Sequence, residues 1–220
     1  MKENLFKNVP LFEDLTKAEL NALNEVIQVQ RFPKNCMIIL ADDRGDSFFV
    51  IHRGRAKVSV NAADGREMIL SILGPGEFFG DISLLDGRPR TANVSTLEDS
   101  ELFVIRRPDF HRAIRRHPDI AVKLMVTIAS RLRKADRQIS GLALLGMTDR
   151  ICSVLLNLAE EEGTETEEGL VIKKRPTHQV LANMVGTSRE TATRVLTRLE
   201  GEGYIVSRGR QLVILKRAGE

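Results

Sequence analysis

The sequence predicts an α+β chain: an antiparallel β-roll, then one long helix, then a small helical unit closed by a β-hairpin. Three observations carry this. Short β-branched and apolar runs separated by turn residues fill residues 26–105. After Pro108 the apolar period changes from strand alternation to helical spacing. Near the C-terminal end, two short amphipathic stretches meet at Gly186, and two strand-like runs follow around Gly209.

A chain of 220 residues is longer than one typical domain, and 42% apolar with 29% charged residues describes a water-soluble globular protein. No run approaches the roughly 18 apolar residues of a membrane helix, so no membrane association is expected. The start, MKENLFKNVPLFEDL, mixes acidic with apolar residues and does not read as a secretory signal, which predicts a cytoplasmic protein. Cys36 and Cys152 stand far apart, and the four histidines are scattered, so no metal or iron–sulfur ligand set is expected. No nucleophile–base motif and no phosphate-loop glycine signature occurs, which argues against an enzyme.

Taken in order, Thr16 with Glu19 three residues on has the pattern of a capping box opening a short helix. The runs MIIL, FFVI, AKVSV, MILSIL, ANVST and LFVI follow as strands. Turn signals separate them at Asp42–Asp46, Ala63–Gly65, Gly74–Gly76 and Asp86–Gly87. Strands at this cadence imply a compact roll or barrel. The next segment, 109–140, is expected as one helix. Its stripe Ala121, Met125, Ile128, Leu132, Ala135, Ile139 and Leu142 alternates spacings of four and three. Such a narrow seam suits a parallel partner helix and hence a homodimer. The alternative, a helix lying on its own domain, calls for a wider apolar face. Gly141 and Gly146 are expected to interrupt the helix and form a hinge, dividing the chain into 1–108, 109–140 and 141–220.

Charge is uneven although the net is only +3. Ten Lys/Arg against three Glu lie between Lys173 and Arg217, a distribution that attracts phosphate. Just upstream, six glutamates between Ala159 and Gly169 are expected to form a solvated loop. Within the basic region, Thr177 can cap a helix carrying Val180, Leu181, Met184 and Val185. Gly186 then permits a left-handed turn, and Ser188 caps a second helix with Val195, Leu196 and Leu199 inward. This is a helix-turn-helix. Its second helix presents Arg189, Glu190 and Arg194 away from the apolar stripe, near the end where a recognition helix meets base edges. Arginine bonds guanine bidentately and glutamate accepts from cytosine, so double-stranded DNA is the expected partner; ordinary solvated charges are the alternative. The hairpin VSRGRQLVIL puts Arg208 and Arg210 at a wing tip suited to phosphate or the minor groove.

The segments PGEFFGDISLLDGRPRTANV, GLALLGMTDRICSVLLNLAE and VGTSRETATRVLTRLE resemble the catabolite activator/FNR family of bacterial regulators over essentially the whole chain. The resemblance implies a cyclic-nucleotide-binding-type β-roll, a long dimerisation helix, a winged helix-turn-helix reading a palindromic operator, and a contact with RNA polymerase. Carried over by motif, Arg189, Glu190 and Arg194 would read a TGTGA-type half-site, with Thr177, Ser188, Thr191, Arg208 and Arg210 also on the DNA. The segment FGDISLLDGRPRTA resembles a phosphate-binding cassette. It implies that Arg90 pairs with a cyclic phosphate, that Thr91 adds a hydroxyl, and that Gly80, Asp81 and Ile82 line the pocket. Asp81 stands where the family has glutamate to bond the ribose, one methylene shorter. Ala135 and Asp136 stand where the cAMP-responsive activator has a threonine and a serine on the base. Asp136 would suit guanine, so cAMP, cGMP and cyclic di-GMP all stay open. A ligand-independent regulator with a degenerate pocket is the other reading.

Overall fold

The computed structural model describes residues 9–13, 16, 20 and 26–216. The helix expected from Thr16 and Glu19 falls mostly outside them; Leu20 N–H does donate to Thr16 O at 2.9 Å. The chain forms two compact units. One takes the chain up to Asn61 with Ile69–Lys134, the other Ala62–Met68 with everything from Ala135 onward.

The first unit is built on strands β1 (Gln28–Phe32), β2 (Met37–Ile39), β3 (Ser47–Arg53), β4 (Ala56–Asn61), β5 (Glu67–Leu73), β6 (Phe78–Phe79), β7 (Asn93–Thr96) and β8 (Ser100–Arg106). They form two four-stranded sheets, β1-β8-β3-β6 and β2-β7-β4-β5. β3 and β8 pair antiparallel, with Phe49 opposite Val104 and Ile51 opposite Leu102. Because side chains alternate along a strand, β3 sends Phe49 and Ile51 into a core with Leu73, Phe79, Leu102 and Val104. Its other face sends Phe48 and Val50 into a second core with Phe78, Phe103, Ile105 and Phe110. Burial on both faces explains why FFVI and LFVI are unbroken apolar runs.

Helices cover that second core: α1 (Asp81–Asp86), α2 (Arg107–Arg116) and α3 (Pro118–Leu144). The single helix expected over 109–140 is therefore two. Pro118 supplies no N–H and disfavours helical geometry in the residue before it, and His117 accordingly leaves the helix at φ −132°, ψ 80°. Gly141 does not interrupt α3, which runs on to Leu144. The break comes at Gly146, the N-cap of α4 (Met147–Glu162). Arg150 closes the end of α3 by donating to Leu145 O at 3.0 Å and Leu142 O at 2.7 Å, satisfying carbonyls the helix leaves open. α3 buries Ile120 and Leu124 in its own unit, yet Met125, Leu132 and Ile139 of the stripe are 60%, 63% and 64% exposed.

In the second unit α4, α5 (His178–Val185) and α6 (Arg189–Gly201) pack on a sheet of order β11-β12-β10-β9, with β9 (Thr164–Glu165), β10 (Gly169–Ile172), β11 (Ile205–Arg208) and β12 (Gln211–Leu215). Ile151, Leu155, Leu181, Val185, Leu196 and Leu199 lie in its core. The acidic segment is not a loop. Glu160–Glu162 end α4, and the rest forms the β9–β10 hairpin, in which Glu165 pairs with Lys216 and Glu168 with Arg208, each at 2.8 Å.

Candidate ligand pocket and nucleic-acid interface

The cassette begins where β6 ends. Gly80 adopts φ 82°, and a Cβ there would lie 2.8 Å from both Ser47 O and Arg90 Nη1, so the turn requires glycine twice over. Arg90 is 6% exposed. Its Nη1 donates to Gly80 O at 2.9 Å and its Nη2 to Ser47 O at 2.8 Å, and among the described residues no carboxylate bonds it. Burial pushes its pKa below the ordinary guanidinium value, while Asp46 and Asp81 oppose the shift. A buried guanidinium held by neutral carbonyls keeps N–H donors to spare, the chemistry that pairing with an anion requires.

Asp81, also buried, opens α1. Both its carboxylate oxygens accept from Arg131 Nη1 at 3.1 Å. Arg131 also donates to Phe78 O, and its guanidinium carbon lies 4.7 Å from the Phe78 ring centroid. At the other end of α1, Arg107 donates to Leu84 O and Ser83 O. Ile82 and Thr91 are exposed. Gly80, Asp81 and Arg90 thus converge, and two arginines absent from the sequence reading join them. Arg131 was findable: it precedes Ala135 by four residues and so shares its helix face. Arg107 carried no local signal. Ala135, half-buried, and Asp136, exposed, follow on α3 and belong to the second compact unit.

In the second unit the caps are those the sequence implies. Thr177 Oγ1 accepts from Val180 N at 3.2 Å, Gly186 turns at φ 70°, and Ser188 Oγ accepts from Thr191 N at 3.2 Å. α6 buries Ala192, Val195, Leu196 and Leu199 and exposes Arg189, Glu190 and Arg194. The first-turn N–H of Glu190 itself and the Ser188 hydroxyl hold the Glu190 carboxyl below its ordinary pKa, so it stays an acceptor. His178 Nδ1 and Thr193 Oγ1, 2.8 Å apart, tie α5 to α6. At the wing, Gly209 and Arg210 form the turn between β11 and β12, and Arg210 is exposed while Arg208 is engaged by Glu168.

Among the described residues no helix is long and apolar enough to cross a membrane, and no cluster of three metal-ligating side chains occurs. A β-roll with a cassette of this kind, carried on one chain with a capped helix-turn-helix and wing, defines a DNA-binding transcription regulator. Residues 29–117 match the cyclic nucleotide-binding domain, and residues 149–219 match the Crp-like helix-turn-helix domain. The cAMP-activated global transcriptional regulator CRP of Pasteurella multocida is 35% identical over 84% of this chain and 89% of its own length. The cyclic AMP receptor protein of Thermus thermophilus is 34% identical over 90% and 89%. Among solved structures, the c-di-GMP-responsive global regulator CLP of Xanthomonas campestris superposes with TM-score 0.77 at 26% identity, covering 92% of this chain and 100% of that one. The chain belongs to the CRP/FNR family of transcription regulators, which are DNA-binding proteins and not enzymes.

Proposed function

We propose that the protein is a homodimeric regulator switched by a cyclic nucleotide and reading a TGTGA-type inverted repeat. The observation that carries the switch is Arg90, a buried guanidinium without a carboxylate partner beside a glycine turn, which suits the single negative charge of a cyclic phosphate. Gly80, Asp81, Ile82 and Thr91 line the same site. The relatives' names supply the candidate ligands: cAMP for the Pasteurella protein, cyclic di-GMP for the Xanthomonas one. cGMP joins them because an aspartate, an acceptor suited to guanine's donors, stands at 136 where the cAMP-responsive activator has a serine. The roll with α2 forms the effector module, α3 the dimer seam, and the residues from Met147 onward the DNA-binding module. The exposed Met125, Leu132 and Ile139 support a second copy across the seam.

On DNA, Arg189, Glu190 and Arg194 read the bases, while Thr177, Ser188, Thr191, Arg208 and Arg210 serve the backbone. Two half-sites lie about one helical turn, roughly 34 Å, apart, as in the catabolite activator itself. RNA polymerase is the further partner of the bound dimer. The ligand acts through different affinity for two arrangements of the α3 pair. Affinity for an inverted-repeat duplex, measured with cAMP, cGMP and cyclic di-GMP in turn, is expected to rise at least tenfold with one of them. No change with any removes the switch and leaves a ligand-independent regulator. Arg189→Ala is expected to cost roughly 1–3 kcal/mol on the operator and to relax preference at one guanine only. Equal weakening on operators carrying every base there would move Arg189 to a phosphate.

A further inference from the structure

The loop between β2 and β3 lies outside the cassette, and the sequence marks it only as a turn. In the folded unit it grips Arg90 from several sides. Asp42 N–H donates to Arg90 O and Arg90 N–H to Asp43 O, each at 2.9 Å. Where the loop enters β3, Ser47 O takes Nη2 at 2.8 Å. Between these, the Arg90 side chain lies over the Cα of Gly45. A Cβ at Gly45 would fall 1.9 Å from Nε, 2.2 Å from Cζ and 2.4 Å from Nη2, well inside contact distance.

Gly45 has no positive φ. The three atoms nearest a side chain there all belong to the Arg90 guanidinium, which would have to move to admit it. Gly80 differs: φ 82° and the nearby Ser47 carbonyl make glycine necessary for the chain itself. We infer that Gly45 is a positioning residue for ligand binding, its missing side chain being the seat that aims Arg90 at an anion. This rests on the cyclic-nucleotide reading of the pocket.

The test is Gly45→Ala in the full-length protein, read in two ways. In the ligand-free state, the Arg90 Nε–H resonance, assigned by its loss in Arg90→Lys, is expected to be sharp and slowly exchanging in the wild type and to shift or broaden in the variant. By calorimetric titration, affinity for whichever of cAMP and cGMP the wild type binds is expected to fall about tenfold to a hundredfold, the range for one charge-assisted contact. If both bind, the loss is the same factor for each, because the seat acts on the phosphate and not on the base. In an Arg90→Ala background, Gly45→Ala should add nothing, an outcome that a general loosening of the roll would not give. An unmoved Arg90 resonance overturns the inference, and so does unchanged affinity or a loss that persists without Arg90. Wild-type protein that binds only cyclic di-GMP is titrated with that ligand and judged by the same loss; protein that binds none of the three refutes the pocket reading instead, and the resonance then decides the seat alone.

Discussion

Phe48→Ala is expected to destabilise the first unit by about 3–5 kcal/mol, the range for removing a buried phenyl ring. Phe48 is fully buried on β3. Its ring centroid lies 4.7 Å from that of Phe110 on α2 and 5.2 Å from that of Phe78 on β6. Phe78 in turn lies beneath the Arg131 guanidinium. The stack therefore connects α2, the roll and α3, and a void at its centre leaves partners on three elements that cannot all collapse inward together. Thermal unfolding should show the transition of this unit lowered by roughly 10 °C. Phe48→Leu, which keeps most of the volume, should lose less than half as much. Equal losses for the two would mean that ring stacking, and not filled volume, is what the site supplies.

Arg131→Ala is expected to cost about 3 kcal/mol, and Asp81→Ala about 1 kcal/mol or less. The asymmetry follows from burial. The Asp81 side chain is 4% exposed and Arg131 35%. Deleting the arginine strands a carboxylate that water cannot reach, with only the field of Arg90 and the first turn of α1 to offset it. Deleting the aspartate leaves a guanidinium that still donates to Phe78 O, stacks on the Phe78 ring and can turn to solvent. Urea midpoints of the two variants and of the double variant measure this directly. The double variant should recover much of the Arg131→Ala loss, since the stranded charge is gone. Equal costs for the two single variants would show that the carboxylate is better solvated than its burial implies.

Both predictions rest on contacts between residues far apart in the chain, and that separation divides what was legible in the sequence from what was not. Six of the eight strands of the roll, the wing hairpin, the α5 and α6 caps at Thr177 and Ser188, and the left-handed turn at Gly186 were legible because each depends on neighbours within about four residues. The split of the long helix at Pro118 was also written locally, but the heptad stripe beginning at Ala121 masked it. In the acidic segment, charge suggested a solvated loop. A hairpin formed instead because Leu170 and Ile172 of β10 pair with β12, and Lys216 and Arg208 neutralise two of the glutamates.

By itself, then, the sequence determined most strands of the roll, the helix-turn-helix with its wing, and the family to which the chain belongs. These follow from periodicity, capping and turn chemistry, which are local. Only the tertiary structure decided that Asp81 would be spent on Arg131, that Arg208 would be held by Glu168, and that Arg90 would lie buried over Gly45 without a carboxylate of its own. A charged side chain's partner is set by which surfaces folding brings together, and by whether water can still compete for it once they meet.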